Sequence, residues 1–202
     1  MGNLNQVQGL YAETLYQRGF DRSWRRKQEG IAGPVFELVT RLSSIAPKVI
    51  HLGASQAPLL LDFISRHFLV LRAVAADRPE EIPAVEALVR TPSPGFLLEA
   101  FEKELPYANE EFDFGILTAG KVDDPLPDWI DPLREVCRTT KIGGLVLVTR
   151  LITPNVTLLD ETILGLEGVV VRWGTTKQTE EGERLFLGGL KSVRVPDIDN
   201  GR

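Results

Sequence analysis

Residues 48–77 read KVIHLGASQAPLLLDFISRHFLVLRAVAAD, and this stretch predicts the fold of the chain. It begins with a short apolar strand, VIHL, and residues 53–58 then turn the chain. Apolar residues recur at helical spacing over 59–68, and a second strand over about 69–76 ends at Asp77. A helix between two strands is a crossover connection, so the two strands are predicted to be parallel.

The alternation of strands and helices continues downstream. Short apolar runs predict three more strands near residues 96–100, 114–118 and 145–151, and the last is continuously apolar, as expected for a buried parallel strand. Residues 168–173 and 184–190 predict two final strands. The polar link between these two is too short for a crossover helix, so they should pair antiparallel. The chain is therefore predicted to be an α/β protein with a mostly parallel sheet that ends in an antiparallel hairpin.

The chain upstream of this unit predicts a helical arm. Apolar residues at helical spacing indicate a first helix within residues 4–30, and a second helix is predicted over about residues 34–44, with its proline in the first turn. We expect an N-terminal helical arm over residues 1–45, an α/β body over residues 46–195 and a frayed tail over residues 196–202.

A cluster of basic residues surrounds a tryptophan in this arm. Trp24 lies among Arg22, Arg25, Arg26 and Lys27. One interpretation is a solvated helix face. The other is a lid, or a surface that docks a protein partner, because Trp and Arg are frequent contact residues at interfaces. The sequence leaves both interpretations open.

The composition restricts the classes of function. Of 202 residues, 23 are Lys or Arg and 28 are Asp or Glu, which gives a net charge of −5 and a pI near 5.2. A nucleic-acid partner is not expected, because such proteins usually carry a basic surface. The only Cys and His residues are Cys137, His51 and His67, so we expect no metal site and no Ser-His-Asp triad. No 18-residue apolar run predicts a membrane helix, and we expect a cytoplasmic protein, with an organelle interior as the open alternative.

Two segments in the second half of the chain carry a family resemblance. Residues 105–117 read LPYANEEFDFGIL, and residues 132–148 read PLREVCRTTKIGGLVLV. With the order of the predicted elements, they resemble the class I S-adenosylmethionine-dependent methyltransferases, of the type 11 kind, over about residues 45–192. The resemblance implies a Rossmann-like fold with a seven-stranded sheet, S-adenosylmethionine as cofactor, and methyl transfer to a small molecule or a protein. It also implies that the last strand lies between two neighbours.

The first turn resembles a degenerate copy of the family's glycine motif. In the family, an acidic residue of strand one precedes a Gly-x-Gly-x-Gly turn, where glycines let the backbone approach the cofactor closely. This chain has His51 at the acidic position, and residues 53–57 read GASQA. The resemblance makes Gly53 and Ser55 candidate cofactor-binding residues. We expect Ser55 to avoid positive φ, because non-glycine residues rarely adopt it.

Three further residues are candidates for the cofactor site through the same resemblance. Asp77 stands where the family binds ribose hydroxyls, and a carboxylate can accept two such hydrogen bonds; an exposed turn residue is the alternative. Phe101 stands where the family has an aspartate that contacts adenine, so either Glu102 substitutes for it or the Phe101 ring stacks on the base. Thr118 ends strand four, on the substrate side. The two aspartates at 123–124 are either a substrate-binding base or a solvated turn, and catalytic residues stay unknown.

These observations leave three functions to compare. The first is an active methyltransferase, which Asp77 and the polar end of strand four favour. The second is a non-catalytic protein of the same fold, a structural or regulatory subunit, which the lost glycines and His51 favour. The third, a nicotinamide-dependent oxidoreductase, requires a G-x-G-x-x-G turn that residues 53–58 lack.

Overall fold

The computed structural model describes residues 4–42, 45–89, 92–101, 103–119, 127–151, 164–179 and 182–192. The helices of this part of the chain include α1 (Leu4–Gln17), α2 (Arg22–Leu42), α3 (Leu60–His67), α4 (Ile82–Val89) and α5 (Pro127–Thr139). Its strands are β1 (Lys48–Leu52), β2 (Arg72–Asp77), β3 (Phe96–Ala100), β4 (Phe112–Thr118), β5 (Thr140–Leu151), β6 (Val169–Thr179) and β7 (Gly182–Lys191).

The strands form one seven-stranded sheet in the order β3-β2-β1-β4-β5-β7-β6. Strands β1 to β5 are parallel, and β1 lies between β2 and β4, with Ile50 opposite Val74 and Gly115. Strand β7 is antiparallel to both of its neighbours, β5 and β6. This confirms the predicted fold class, including the position of the last strand. The strand order reverses between β1 and β4, and open α/β sheets have a crevice at such a point.

Helices cover both faces of the sheet. One apolar core joins α1 to α4 to the first face and includes Phe36, Val49 and Ile64. The second core joins α5 to the opposite face and includes Ile50 and Val136. The consecutive residues Val49 and Ile50 belong to different cores, because successive side chains of a strand point to opposite faces.

The N-terminal helices belong to the first core. Tyr11 and Phe36 are fully buried, with their rings in an edge-to-face contact at 5.2 Å between centroids. The predicted start of the second helix near Pro34 is wrong, because α2 is one helix that begins at Arg22 and contains Pro34. A proline inside a helix costs about 3 kcal/mol, and the burial of the apolar stripe of α2 offsets this cost. The division of the chain into arm, body and tail stays a prediction.

The C-terminal hairpin is longer than the sequence indicated. Strands β6 and β7 pair from Val169 opposite Lys191 to Thr179 opposite Gly182, so most of the polar stretch that was predicted as a link is strand. Strand β6 is an edge strand, and polar side chains are common at sheet edges because they face water. No helix in the described ranges is long and apolar enough to cross a membrane.

An ion pair of low exposure ties the β3–β4 connection to α5. The Glu135 carboxylate accepts a hydrogen bond from the Leu105 main-chain N–H at 2.7 Å and from the Arg138 guanidinium at 2.8 Å. The same guanidinium donates to the Tyr107 carbonyl at 2.9 Å and to the Asn109 side-chain oxygen at 2.8 Å. The segment that resembles the family is therefore held on the sheet by charge-assisted hydrogen bonds, which are the stronger kind.

Candidate functional site

The first turn begins with Gly53, at a position that only glycine can occupy without strain. Gly53 has φ 80° and ψ 39°, in the left-handed region, and precedes a short 3₁₀ turn over Ala54–Gln56. A Cβ built on Gly53 would overlap with the Thr118 carbonyl oxygen. Because Gly53 has no side chain, the turn after β1 packs directly against the end of β4. Both lie at the carboxyl edge of the sheet.

The rest of the turn accommodates its non-glycine residues. Among the described residues, the non-glycines with positive φ are Ala46 and Glu110, so Ser55 avoids positive φ, as predicted. Ala57 has φ −145° and is buried. The Cβ atoms of Ser55 and Ala57 thus cause no backbone strain, although they occupy space that glycines would leave open.

Asp77 lies at the end of β2 and holds the first turn. Its Oδ2 accepts a hydrogen bond from the Ser55 main-chain N–H at 2.6 Å, and its Oδ1 accepts one from the Arg78 main-chain N–H at 2.8 Å. The side chain is 8% exposed, so it is not an exposed turn residue. Each carboxylate oxygen has two acceptor positions, and therefore each retains capacity for a further hydrogen bond.

A buried histidine connects β1 to β4. His51 Nε2 lies 2.9 Å from Thr118 Oγ1, and both residues are almost fully buried. Burial lowers the pKa of His51 to about 3, so the ring is neutral at pH 7. His51 Nδ1 and the Thr149 hydroxyl, on the strand next to β4, have no hydrogen-bond partner among the described residues. Both atoms are buried close to the carboxyl edge, and each lacks a hydrogen bond there within the part of the chain that the structure describes.

Helix α2 closes the first turn from outside the sheet. The Gln28 side-chain amide donates to the Gln56 carbonyl at 2.7 Å, and Lys27 Nζ donates to the Gln56 side chain at 3.3 Å. Gln28 is fully buried, and its Oε1 has no hydrogen-bond partner in the described part of the chain. Sequence reasoning missed this contact, because it joins residues 28 positions apart and no local pattern indicates it. Helix α2 therefore contacts the turn through Gln28 and Lys27, while the solvated face, the lid and the docking surface all stay open as interpretations of its basic residues.

The remaining predicted residues have different outcomes. Phe101 is 6% exposed and packs in the second apolar core, which removes it as a ring that stacks on a ligand. Glu102 and the two aspartates at 123–124 lie outside the described residues. Within the described residues, no group of three His, Cys, Asp or Glu side chains could hold a metal ion. The structure thus brings Gly53 to Thr118, and Ser55 to Asp77, at one edge of the sheet.

Comparison with known proteins identifies the fold. No family model and no curated protein matches the chain, whereas many solved structures do. A candidate RNA methyltransferase from Pyrococcus horikoshii superimposes with a TM-score of 0.71 at 15% identity, over 96% of this chain and all of the other. The chain has the class I methyltransferase fold. An S-adenosylmethionine-dependent methyltransferase from Aquifex aeolicus gives a TM-score of 0.59 at 14% identity, over 95% of this chain and 100% of the other.

A third similar structure comes from a complex. It is the complex between the Haloferax volcanii Trm112 methyltransferase activator and a candidate methyltransferase, with a TM-score of 0.62 at 12% identity, over 96% of this chain and 99% of the other. Helices α1 and α2 contain 14 and 21 residues, whereas a match over 96% of 202 residues leaves only about eight unmatched, so it includes most of these two helices taken together. The N-terminal helices are therefore part of the shared architecture.

Proposed function

We propose that this protein binds S-adenosylmethionine at the carboxyl ends of β1, β2 and β4 and transfers its methyl group to a small molecule or a protein. The observation that carries the proposal is the position of the Asp77 carboxylate. It is nearly buried, it is fixed by the Ser55 and Arg78 main-chain N–H groups, and it keeps acceptor capacity on both oxygens. That is the chemistry that two vicinal ribose hydroxyls require.

The residues of the crevice have distinct tasks in this proposal. Gly53 lets the first turn approach Thr118 closely, which brings the ends of β1 and β4 together beside the ligand. Asp77 binds the ribose, and Gln28 keeps the turn in place from above. The bound sulfonium supplies an electrophilic methyl group, and transfer depends mainly on alignment of the acceptor with that group. The buried His51 ring is neutral, so it adds no charge to this edge of the sheet.

The finer assignments are part of the proposal. They comprise membership of the type 11 kind of methyltransferase with a degenerate glycine motif, contact of Ser55 and Thr118 with the cofactor, and recognition of adenine by Glu102. A protein partner at the N-terminal arm is also proposed, and the exposed Leu10 and Tyr16 on α1 are the side chains available to it.

The alternative proposal is a non-catalytic protein of this fold that serves as a structural or regulatory subunit. The observation that favours it is His51, because a neutral buried ring replaces the negative charge that the family carries on strand one. Ser55 and Ala57 add to this, because the family has glycines at these two positions of the turn. A pocket that binds no cofactor would agree with both features.

Calorimetric titration separates the two proposals. S-adenosylmethionine and S-adenosylhomocysteine should both bind the wild-type protein. Asp77→Ala should weaken binding by about 1–3 kcal/mol, or about 5- to 150-fold in Kd, through unpaired ribose hydroxyls. Asp131→Ala removes an exposed aspartate of α5 and should leave Kd unchanged. Equal affinity of wild type and Asp77→Ala would remove Asp77 from the site.

A glycine-restored variant tests the alternative proposal. Ser55→Gly with Ala57→Gly should tighten binding if the two side chains crowd the ligand. The two glycines should also lower stability by about 0.5–1 kcal/mol each. If millimolar cofactor shifts the melting temperature of neither the wild type nor this variant, the protein is a non-catalytic member of the fold.

A further inference from the structure

A second concave site lies away from the crevice, between the N-terminal helices and the edge of the sheet. It is a cavity of about 340 Å³ between α1, α2 and β6. Its apolar wall includes Leu4 and Leu38, its floor includes Trp173, and its polar rim includes Gln8 and Lys177. The volume falls near the lower end of the range of small-molecule sites, about 300–1,000 Å³.

The Trp173 ring lies flat on the sheet. A Cβ built on Gly188, opposite Trp173 on β7, would lie 2.5 Å from both Nε1 and Cζ2 of the indole. One face of the indole therefore covers the glycine, which a larger residue at position 188 would prevent. The half-buried indole lines the cavity, so it offers aromatic surface to a planar ligand.

Two nitrogen donors converge above Gly33, the glycine that lines this cavity. A Cβ built on Gly33 would lie 3.6 Å from Gln8 Nε2 and 3.9 Å from Lys177 Nζ. The two nitrogens are therefore at most 7.5 Å apart, the sum of those distances, and a carboxylate between them could accept a hydrogen bond from each. Gly33 leaves open the space that such a group would occupy.

The charges of the rim favour an anion. Glu37 and Arg41 line the same cavity and form an ion pair with each other at 2.5 Å, so their charges compensate. Lys177 provides the remaining charge, and its ammonium group lies 5.6 Å from the centre of the Phe186 ring. The cavity is thus locally cationic on a protein whose net charge is −5.

The cavity is separate from the proposed cofactor crevice. Strand β6 is four strands away from β1 in the sheet, which is about 19 Å at a spacing of about 4.8 Å per strand. We infer that this cavity is a second binding site, for a small planar aromatic carboxylate that stacks on Trp173 and places its carboxylate between Lys177 and Gln8. The inference does not depend on cofactor binding.

Indole-3-acetate and its uncharged amide, indole-3-acetamide, test the inference. The 202-residue chain is titrated with each compound, main-chain amide chemical shifts locate the binding site, and calorimetry at low salt gives the Kd values. Indole-3-acetate should shift the main-chain N–H signals of Gly33 and Thr175. Its Kd should be at least tenfold lower than the Kd of indole-3-acetamide. Equal affinity of the two compounds, or shifts that map elsewhere on the protein, would overturn the inference.

Two pairs of variants give matched controls. Gly33→Leu should abolish binding by filling the cavity, whereas Gly30→Leu, in the same helix but with no atom within 4 Å of its Cβ position, should not. Lys177→Gln should remove the preference for the acid, whereas Arg172→Gln, an exposed cation of the same strand outside the cavity, should keep it. The site would be refuted if Gly33→Leu and Gly30→Leu bound the acid equally tightly. It would also be refuted if Lys177→Gln and Arg172→Gln showed the same preference for the acid over the amide. Because Lys177 is an exposed side chain, its replacement does not threaten the fold.

Discussion

Replacement of Gly53 by alanine tests the contact between the first turn and β4. The substitution has two costs. An L-residue at φ 80° costs about 1–2 kcal/mol, because Cβ crowds the main chain in the left-handed region. The new Cβ would also overlap with the Thr118 carbonyl oxygen and lie 3.0 Å from the carbonyl carbon, so β1 and β4 must move apart. Such overpacking typically costs a further 1–3 kcal/mol or so.

Gly143 provides a control that separates the two costs. It has φ 80° as well, lies in β5, and has no atom within 4 Å of its Cβ position. Gly143→Ala should therefore lose only the conformational part, about 1–2 kcal/mol, whereas Gly53→Ala should lose about 2–5 kcal/mol. A loss of 1 kcal/mol lowers the melting temperature of a chain of this length by about 2–4 °C.

Urea unfolding monitored by circular dichroism measures both variants. The free energy of unfolding of Gly53→Ala should be lower than that of Gly143→Ala by at least about 1 kcal/mol. Gly53→Ala should also lose affinity for S-adenosylmethionine, whereas Gly143→Ala should retain it. If the two variants are equally stable, the close approach of the first turn to Thr118 is refuted.

Three further predictions concern buried polar groups. Arg138→Met leaves the Glu135 carboxylate without its cation and should lower the unfolding free energy by about 3 kcal/mol; a loss below 1 kcal/mol would contradict this. Lys191 donates to the Cys137 carbonyl in the last turn of α5 and to the Thr140 carbonyl just after it, so Lys191→Met should cost about 1–3 kcal/mol in the same assay, and a neutral effect would exclude this cap. His51 has a folded pKa near 3 and an ordinary value of 6.5, so the unfolded chain binds more protons between these values and stability falls as pH falls. Between pH 5.5 and 4.5 the wild type should lose about 1.4 kcal/mol more than His51→Gln, and equal pH slopes would refute the buried neutral ring.

The elements that the sequence predicted well are those with a strong local pattern. The strands β1, β3 and β4 carry short apolar runs, and the turn at Gly53 separates β1 from the helix that follows. Local pattern was a poor guide where packing changes its meaning. Pro34 usually marks a helix start, but the buried stripe on both sides of it keeps α2 continuous. Polar residues near 175 usually indicate a loop, but pairing with β7 extends the strand through them.

The candidate site likewise combines residues that were predicted with contacts that were not. The family resemblance implied Gly53, Ser55, Asp77 and Thr118, and the structure places them along one edge of the sheet; their contacts with a cofactor stay predictions. The family resemblance did not indicate the hydrogen bond from Gln28 to Gln56 or the one between His51 and Thr118. These bonds join residues that are 28 and 67 positions apart in the sequence.

The sequence by itself determined the parallel sheet, its closing hairpin and the position of the first turn. These follow from backbone preferences and from apolar periodicity, which are properties of consecutive residues. Only the tertiary structure decided that α2 covers that turn, that His51 is buried and neutral, and that Trp173 and Lys177 border a cavity with α2. Each of these depends on which distant surfaces pack together, and burial then sets both the protonation of a side chain and the space left beside it.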